Sequence, residues 1–316
     1  MDRSTPAPEK THPRIISPGE FTLGSYRFTL RLTKTVELPR YKGDVFHRVL
    51  GKGLEAISPR FGQYFFHPAP ISNWPYPGQT PPKPFTLIPP LSSETNFQAG
   101  ETLDVGFTLF GPANQHLMTV FAALEKLGTT SGLNKGGGRF QIDRLIQITT
   151  EKPRELFAGA QWLESSQPTS AADIFAATPP TTDEITLYIH TRLRLKDQGA
   201  LMRGQLPLVV LIDRLAGRVN TLAAMYCSGP MLPPEEKTAL VTLARTAAMV
   251  RDDTRWSDWS RDSKDMKFGG LEGTITYQNV PGVLLPWLNL GQWIGVGGKT
   301  SFGLGLYSTE LDTCTN

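Results

Sequence analysis

The segment GQWIGVGGKTSFGLGLY, residues 291–307, packs Gly295, Gly297, Gly298, Gly303 and Gly305 around Lys299, Thr300 and Ser301. Gly-Lys-Thr at 298–300 invites a phosphate-loop reading. That motif needs another glycine five positions before Gly298, and Trp293 stands there. The dinucleotide fingerprint fails too, because Thr300 occupies the place of its third glycine. Two readings survive. Either the loop brings its backbone close to another backbone and offers N–H groups to an anion, or it is an ordinary β-hairpin with glycine turns.

Outward from this loop, 268–310 reads as strands around tight turns. Residues 184–195 alternate, with Ile185, Leu187, Ile189, Leu193 and Leu195 on one face and Tyr188, His190, Arg192 and Arg194 on the other. Helical spacing covers about 208–226 and 234–250. Between 150 and 183 periodicity gives way to Pro, Ser and Thr, as in a region joining two domains. The first half repeats the plan. Tyr26, Phe28, Leu30 and Leu32 alternate with Arg27, Thr29, Arg31 and Thr33 in a strand over 26–33. A helix over 43–57 follows, weakened by Gly51 and Gly53. Next come a proline-rich loop at 72–84, strands at 85–91 and 102–110, a helix at 115–127, a glycine turn at 132–138 and a strand at 139–149. YRFTLRLT (26–33) and IHTRLRLK (189–196) share a pattern. The order of elements suits an α+β chain of two tandem ferredoxin-like units. The expected boundaries are a flexible arm at 1–18, a domain at 19–150, a joining region at 151–183 and a domain at 184–316.

The chain has 316 residues and a formal net charge of +3, so an anionic partner would require basic side chains gathered on one face. Cys227 and Cys314 are too few and too far apart for a disulfide framework or a cysteine zinc site. No spacing of His and Glu matches a metal-hydrolase motif. The N-terminus lacks a signal-like apolar run, and no stretch reaches the roughly 18 apolar residues of a membrane span, so a soluble cytoplasmic protein is expected.

IGVGGKTSFGLGLY resembles the C-terminal glycine-rich loop of the CRISPR-associated RAMP superfamily, and most closely its precursor-processing endoribonucleases, the "Cas six" family. GDVFHRVLGKGL (43–54) resembles the start of that family's first helix, where a histidine often sits. KFGGLEGTITYQN (267–279), PFTLIPPL with GETLDVGFTLFGPA (84–91, 100–113) and LEKLGTTSGLNKGGGRFQI (124–142) resemble its other segments. The resemblance implies two RRM-like domains and binding of a CRISPR repeat RNA. It also implies a single metal-independent, cofactor-free cut leaving a 2′,3′-cyclic phosphate and a 5′-OH. A non-catalytic RAMP subunit, holding guide RNA beside other effector-complex subunits, is the alternative. An unrelated α+β enzyme with a glycine hairpin is a second rival.

RNA cleavage of this kind needs a base for the ribose 2′-OH, an acid for the leaving oxygen and a cation for the phosphate charge. His47, about 100° from the centre of its helix's apolar face, is the leading candidate. Tyr41, Lys52 and His67 are further candidates. His67 stands where the family more often has an acidic residue. Arg27, Arg31, Lys42, Arg48, Lys135, Arg139, Arg192, Arg194, Lys299 and Ser301 are candidates for RNA contacts, if the domains pack so as to line one cleft. Trp256, Trp259, Tyr277 and Trp293 could stack on bases, or simply fill cores. His12, His116 and His190 carry no assigned role.

Overall fold

The computed structural model describes residues 14–71, 74, 80–134, 137–182, 184–258 and 268–310. The N-terminal half begins with β1 (Thr22–Leu32), β2 (Val36–Glu37), α1 (Gly43–Ile57), α2 (Pro59–Phe66), β3 (Phe85–Ile88), β4 (Asn96–Phe97) and β5 (Thr102–Phe110). It continues through α3 (Leu117–Thr130), β6 (Phe140–Ile148), β7 (Arg154–Ala158), β8 (Gln161–Trp162) and β9 (Thr169–Ser170). The main sheet runs β3-β5-β1-β6-β7-β8, and β1 is antiparallel to both β5 and β6. With α1 and α3 as the two crossovers, β1, β3, β5 and β6 make a ferredoxin-like unit.

Alternation explains β1. Tyr26, Phe28, Leu30 and Leu32 are buried, whereas Arg27, Thr29 and Arg31 are not. Helix α1 buries Val45, Phe46, Val49, Leu50 and Leu54. Gly53 does more than weaken this helix. A Cβ there would sit 2.5 Å from the Ala123 carbonyl oxygen, so the glycine lets α1 cross α3 at close range.

The C-terminal half holds α4 (Ala171–Ala176), β10 (Glu184–Leu193), β11 (Lys196–Asp197), β12 (Ala200–Leu201), α5 (Leu208–Tyr226) and α6 (Pro234–Leu243). It ends with β13 (Ala248–Asp252), β14 (Arg255–Ser257), β15 (Gly270–Gln278), α7 (Leu285–Ile294) and β16 (Tyr307–Thr309). Its sheet order, β13-β15-β10-β16, is that of the first unit again. The protein is therefore α+β with tandem ferredoxin-like domains.

Four expectations differ from this architecture. The helix expected over 234–250 stops at Leu243, and Ala248–Asp252 pairs with β15 instead. Residues 268–310 are not all strands and turns, because α7 lies among them. Leu285, Trp287, Leu288, Leu290 and Ile294 are buried on more than one side of α7, so no polar face marks it in the sequence. The region 151–183 is not plain linker: β7 and β8 widen the first sheet, β9 pairs with β1, and α4 packs on α7. The end of the N-terminal arm is tied down. Ile16 is buried and donates its N–H to the Pro230 carbonyl at 3.0 Å.

Each half has its own core, but Phe21, Leu23 and Phe110, from the first half, belong to the core of the second. Each such side chain, removed from water, stabilises the docking of the halves by roughly 2 kcal/mol. The glycine-rich loop after α7 lies at this junction.

Candidate active site

Helix α7 gives way to Gly295, whose φ of +67° combined with ψ of 167° is a backbone conformation essentially restricted to glycine. The chain then doubles back. Val296 N–H donates to the Gly305 carbonyl at 2.9 Å, and a Cβ on Gly305 would lie 1.9 Å from the Val296 oxygen. Gly298 N–H donates to the Arg194 carbonyl at 2.9 Å, and a Cβ on Gly297 would lie 2.5 Å from that same oxygen. Close backbone approach is thus the reason for the glycines, and a simple hairpin is excluded because a helix leads in. The N–H of Gly298 is spent on the protein itself. A 3-10 turn at Thr300–Phe302 then projects two carbonyls toward the first domain.

Both carbonyls are received by α1 and its entry. Tyr41 Oη donates to the Phe302 carbonyl at 2.6 Å. His47 Nδ1 lies 2.8 Å from the Ser301 carbonyl oxygen. The backbone at Gly43 comes so near that a Cβ would sit 2.0 Å from the Phe302 oxygen, and a Cβ on Gly303 would meet Pro89 Cδ at 2.5 Å. The imidazole stacks on Phe302, with centroids 3.6 Å apart, and takes Phe66 edge-on at 4.8 Å.

This geometry fixes the tautomer. A carbonyl oxygen only accepts, so Nδ1 carries the hydrogen and Nε2 presents a lone pair. Among the described residues Nε2 has no hydrogen-bond partner, and it is not sealed from solvent. Burial pushes the pKa of His47 down to about 4; the Ser301 hydrogen bond opposes that shift, and the nearby charge of Lys83 adds to it. Tyr41 is different. Its hydroxyl is already donated, burial pushes its pKa up, and the Arg192 guanidinium lies 5.3 Å above its ring. It is a strut between the domains.

Beside the loop a cleft of about 800 Å³ opens between the domains. Lys83, Arg194, Lys196, Arg214, Lys237 and Lys299 line it, and Asp213 is the one acidic residue among its described lining. Arg218 closes its back. The guanidinium donates to the Ile294 and Gly295 carbonyls and to Thr86 Oγ1, all at 2.9 Å. It therefore satisfies the C-terminal end of α7 and joins it to β3.

Only part of the expected basic set gathers here. Arg194, Lys299 and Ser301 line the cleft, and Arg192 packs behind it on Tyr41, with Ser257 and Glu272 as partners. Lys42 is fully buried; its ammonium donates to the carbonyls of Arg40, Ser92 and Glu94, so it has no N–H left to offer RNA. Arg48 and Lys52 line a separate recess with Ser131, Gly132 and Asn134, which removes Lys52 from the neighbourhood of His47. Arg27 and Arg31 stand on the open face of the first sheet, where Arg31 pairs with Asp143. Arg139 is half-buried with an unpartnered Nε. His67 caps the end of α2, exposed, with its carbonyl held by Gln63. Lys135 and Trp259 lie outside the described residues. Tyr277 is a core residue whose hydroxyl donates to the Leu206 carbonyl, so it offers no stacking surface. Lys83, Arg214, Lys237 and Phe302 were missed by sequence reasoning. Only the run Pro81-Pro82-Lys83-Pro84 carried a hint, of a rigidly held lysine.

Among the described residues no group of His, Cys, Asp and Glu is arranged to hold a metal, and no helix is long and apolar enough to cross a membrane.

Comparison with known proteins fits this geometry. Residues 187–307 match the family model of the CRISPR-associated endoribonuclease Cas6, and residues 21–169 match a model described as an N-terminal domain. A search of curated proteins gives no match. A Cas6 product complex superposes with a TM-score of 0.60 at 19% identity, covering 91% of this chain and 99% of that one. Thermus thermophilus Cas6 gives 0.57 at 17%, over 92% and 98%. A Cas6-RT-Cas1–Cas2 complex gives 0.63 at 17%, over 94% of this chain but 29% of that one. The Cas6 structures share the duplicated ferredoxin-like fold of this chain. Over residues 187–307 the chain is similar to the Cas6 family of CRISPR-associated endoribonucleases.

Proposed function

We propose that this protein cuts CRISPR repeat RNA by metal-independent transesterification, with His47 as the general base. The observation that carries this reading is the Nδ1–H hydrogen bond from His47 to Ser301, which leaves a neutral, unpaired Nε2 beside a basic cleft. Nε2 takes the proton of the ribose 2′-OH, O2′ bonds to the adjacent phosphorus, and the P–O5′ bond breaks. O5′ leaves with a proton from cleft water. The products are a 2′,3′-cyclic phosphate and a 5′-OH. Arg194, Lys299, Arg214 and Lys237 are proposed to hold flanking phosphates. Other CRISPR proteins are proposed as further partners.

The test is incubation of the chain with its repeat RNA in excess chelator. The expected result is one cut with a cyclic phosphate end, abolished by a 2′-deoxy substitution at the cut nucleotide. Binding without any cut would overturn the reading. One observation favours a second reading. Ser301 and Phe302 line the cleft, while His47 lies behind them. A guide-RNA-holding subunit without nuclease activity would keep this arrangement, and its signature is tight repeat binding with no cut by the wild-type chain.

A further inference from the structure

We propose that Lys83 supplies the positive charge at the scissile phosphate, the part for which Lys52 was a candidate. The inference rests on the His47-dependent cleavage proposed above and names a further residue of the same site.

Three observations converge. First, Lys83 is held in place from both sides. The Pro82 carbonyl accepts from Tyr226 Oη of the second domain, and the Pro84 carbonyl accepts from Phe110 N–H at 3.0 Å. Prolines on either side fix the backbone further, since Pro84 drives the residue before it into extended conformation. Second, the ammonium and the imidazole share one aromatic ring. Lys83 Nζ lies 5.8 Å from the centroid of Phe66, and His47 lies 4.8 Å from it. Third, Lys83 is half-buried in the cleft wall, with no ion pair to a carboxylate among the described residues. Asp213 is occupied by Lys237 at 2.9 Å and Arg214 at 3.5 Å. A half-buried ammonium without a counter-charge calls for an anion from outside. Its field already reaches the imidazole and lowers that group's proton affinity.

Two other lysines are placed differently. Lys42 is enclosed by carbonyls, and Lys299 Nζ lies over Phe268 at 4.3 Å, not against the Phe66 ring that His47 meets. In the proposed step Lys83 moves no proton. It contacts a non-bridging oxygen, whose negative charge grows as O2′ bonds to phosphorus.

The experiment compares wild type, Lys83→Met, Lys83→Arg and His47→Ala in the full chain, under single-turnover conditions with repeat RNA. In parallel, each is tested for binding of the same RNA made 2′-deoxy at the cut nucleotide. Lys83→Met should slow cleavage by about 100-fold or more. It should weaken binding by less than about tenfold, the scale of one phosphate contact. Lys83→Arg should recover most of the rate. The imidazole resonance of His47, followed by NMR, should titrate at higher pH in Lys83→Met. Cleavage by Lys83→Met within threefold of wild type, or a rate loss matched by an equal binding loss, would overturn the proposal. If Lys83→Met cuts normally while His47→Ala does not, the lysine assignment falls and the histidine stands. If His47→Ala cuts normally while Lys83→Met does not, the histidine assignment falls and the lysine stands.

Discussion

His47 and Ser301 are 254 positions apart in the chain, yet the imidazole Nδ1 of one lies 2.8 Å from the carbonyl oxygen of the other. The bond crosses from the first domain to the second. It orients the ring and selects its tautomer in one contact, as second partners of working histidines commonly do.

Removing the imidazole tests its role most directly. His47→Ala and His47→Gln should slow single-turnover cleavage of repeat RNA by about 10²–10⁴-fold, the usual contribution of a positioned base. Affinity for uncleavable repeat RNA should stay close to wild type, as measured by filter binding.

The pH dependence has a definite sign. His47 in the folded protein has a pKa of about 4, below the free imidazole value of about 6.5. Between those values the unfolded chain binds more protons than the folded one, so stability is full above about 6.5 and declines as pH falls toward about 4. Urea midpoints measured across this window should fall with pH in wild type, with a shallower slope in His47→Gln. The acid limb of kcat/KM should lie near 4 rather than near 6.5.

Three glycines separate close packing from simple flexibility. Gly43→Ala and Gly303→Ala each drive a Cβ into atoms 2.0 Å and 2.5 Å away, and Gly303 also has φ of +85°. Each should lower stability by about 2 kcal/mol or more. Gly298→Ala finds its nearest atom at 3.8 Å with no left-handed backbone, so its melting temperature should stay near wild type. Calorimetry on the three variants distinguishes these outcomes.

Lysines that looked alike in the sequence should behave in opposite ways. Lys42→Met leaves the carbonyls of Arg40, Ser92 and Glu94 without their donor and should cost on the order of 2–4 kcal/mol of stability. RNA affinity should be unchanged where the protein remains folded. Lys299→Ala and Arg194→Ala should do the reverse. They should weaken RNA binding and reduce the slope of log affinity against log salt by about 1 each, with little change in melting. Salt-dependent binding isotherms provide the measurement.

The legible parts of this fold were those where one face is wet. Strand β1, with Tyr26, Phe28, Leu30 and Leu32 against the helices, and helix α1, with its apolar stripe, carried clear periods of two and 3.6. Helix α7 was invisible because it is apolar almost all round. Candidate site residues were legible only where their neighbours were local. His47 sits at the edge of the stripe, as its angle on the wheel required. The burial of Lys42 and the separation of Lys52 from His47 depend on tertiary packing that no local pattern encodes. Lys83 escaped notice because its importance comes from Phe66, Tyr226 and Phe110, which converge on it only in the folded chain.

The loop that follows α7 also bears on inheritance. The imidazole and the oxygen that orients it are encoded 254 codons apart. A recombination event that exchanges one half for a distant relative's would separate a side chain from its matching carbonyl, even if both halves fold. Such chimaeras should bind RNA more readily than they cut it, so the two halves of this gene are expected to travel and diverge together.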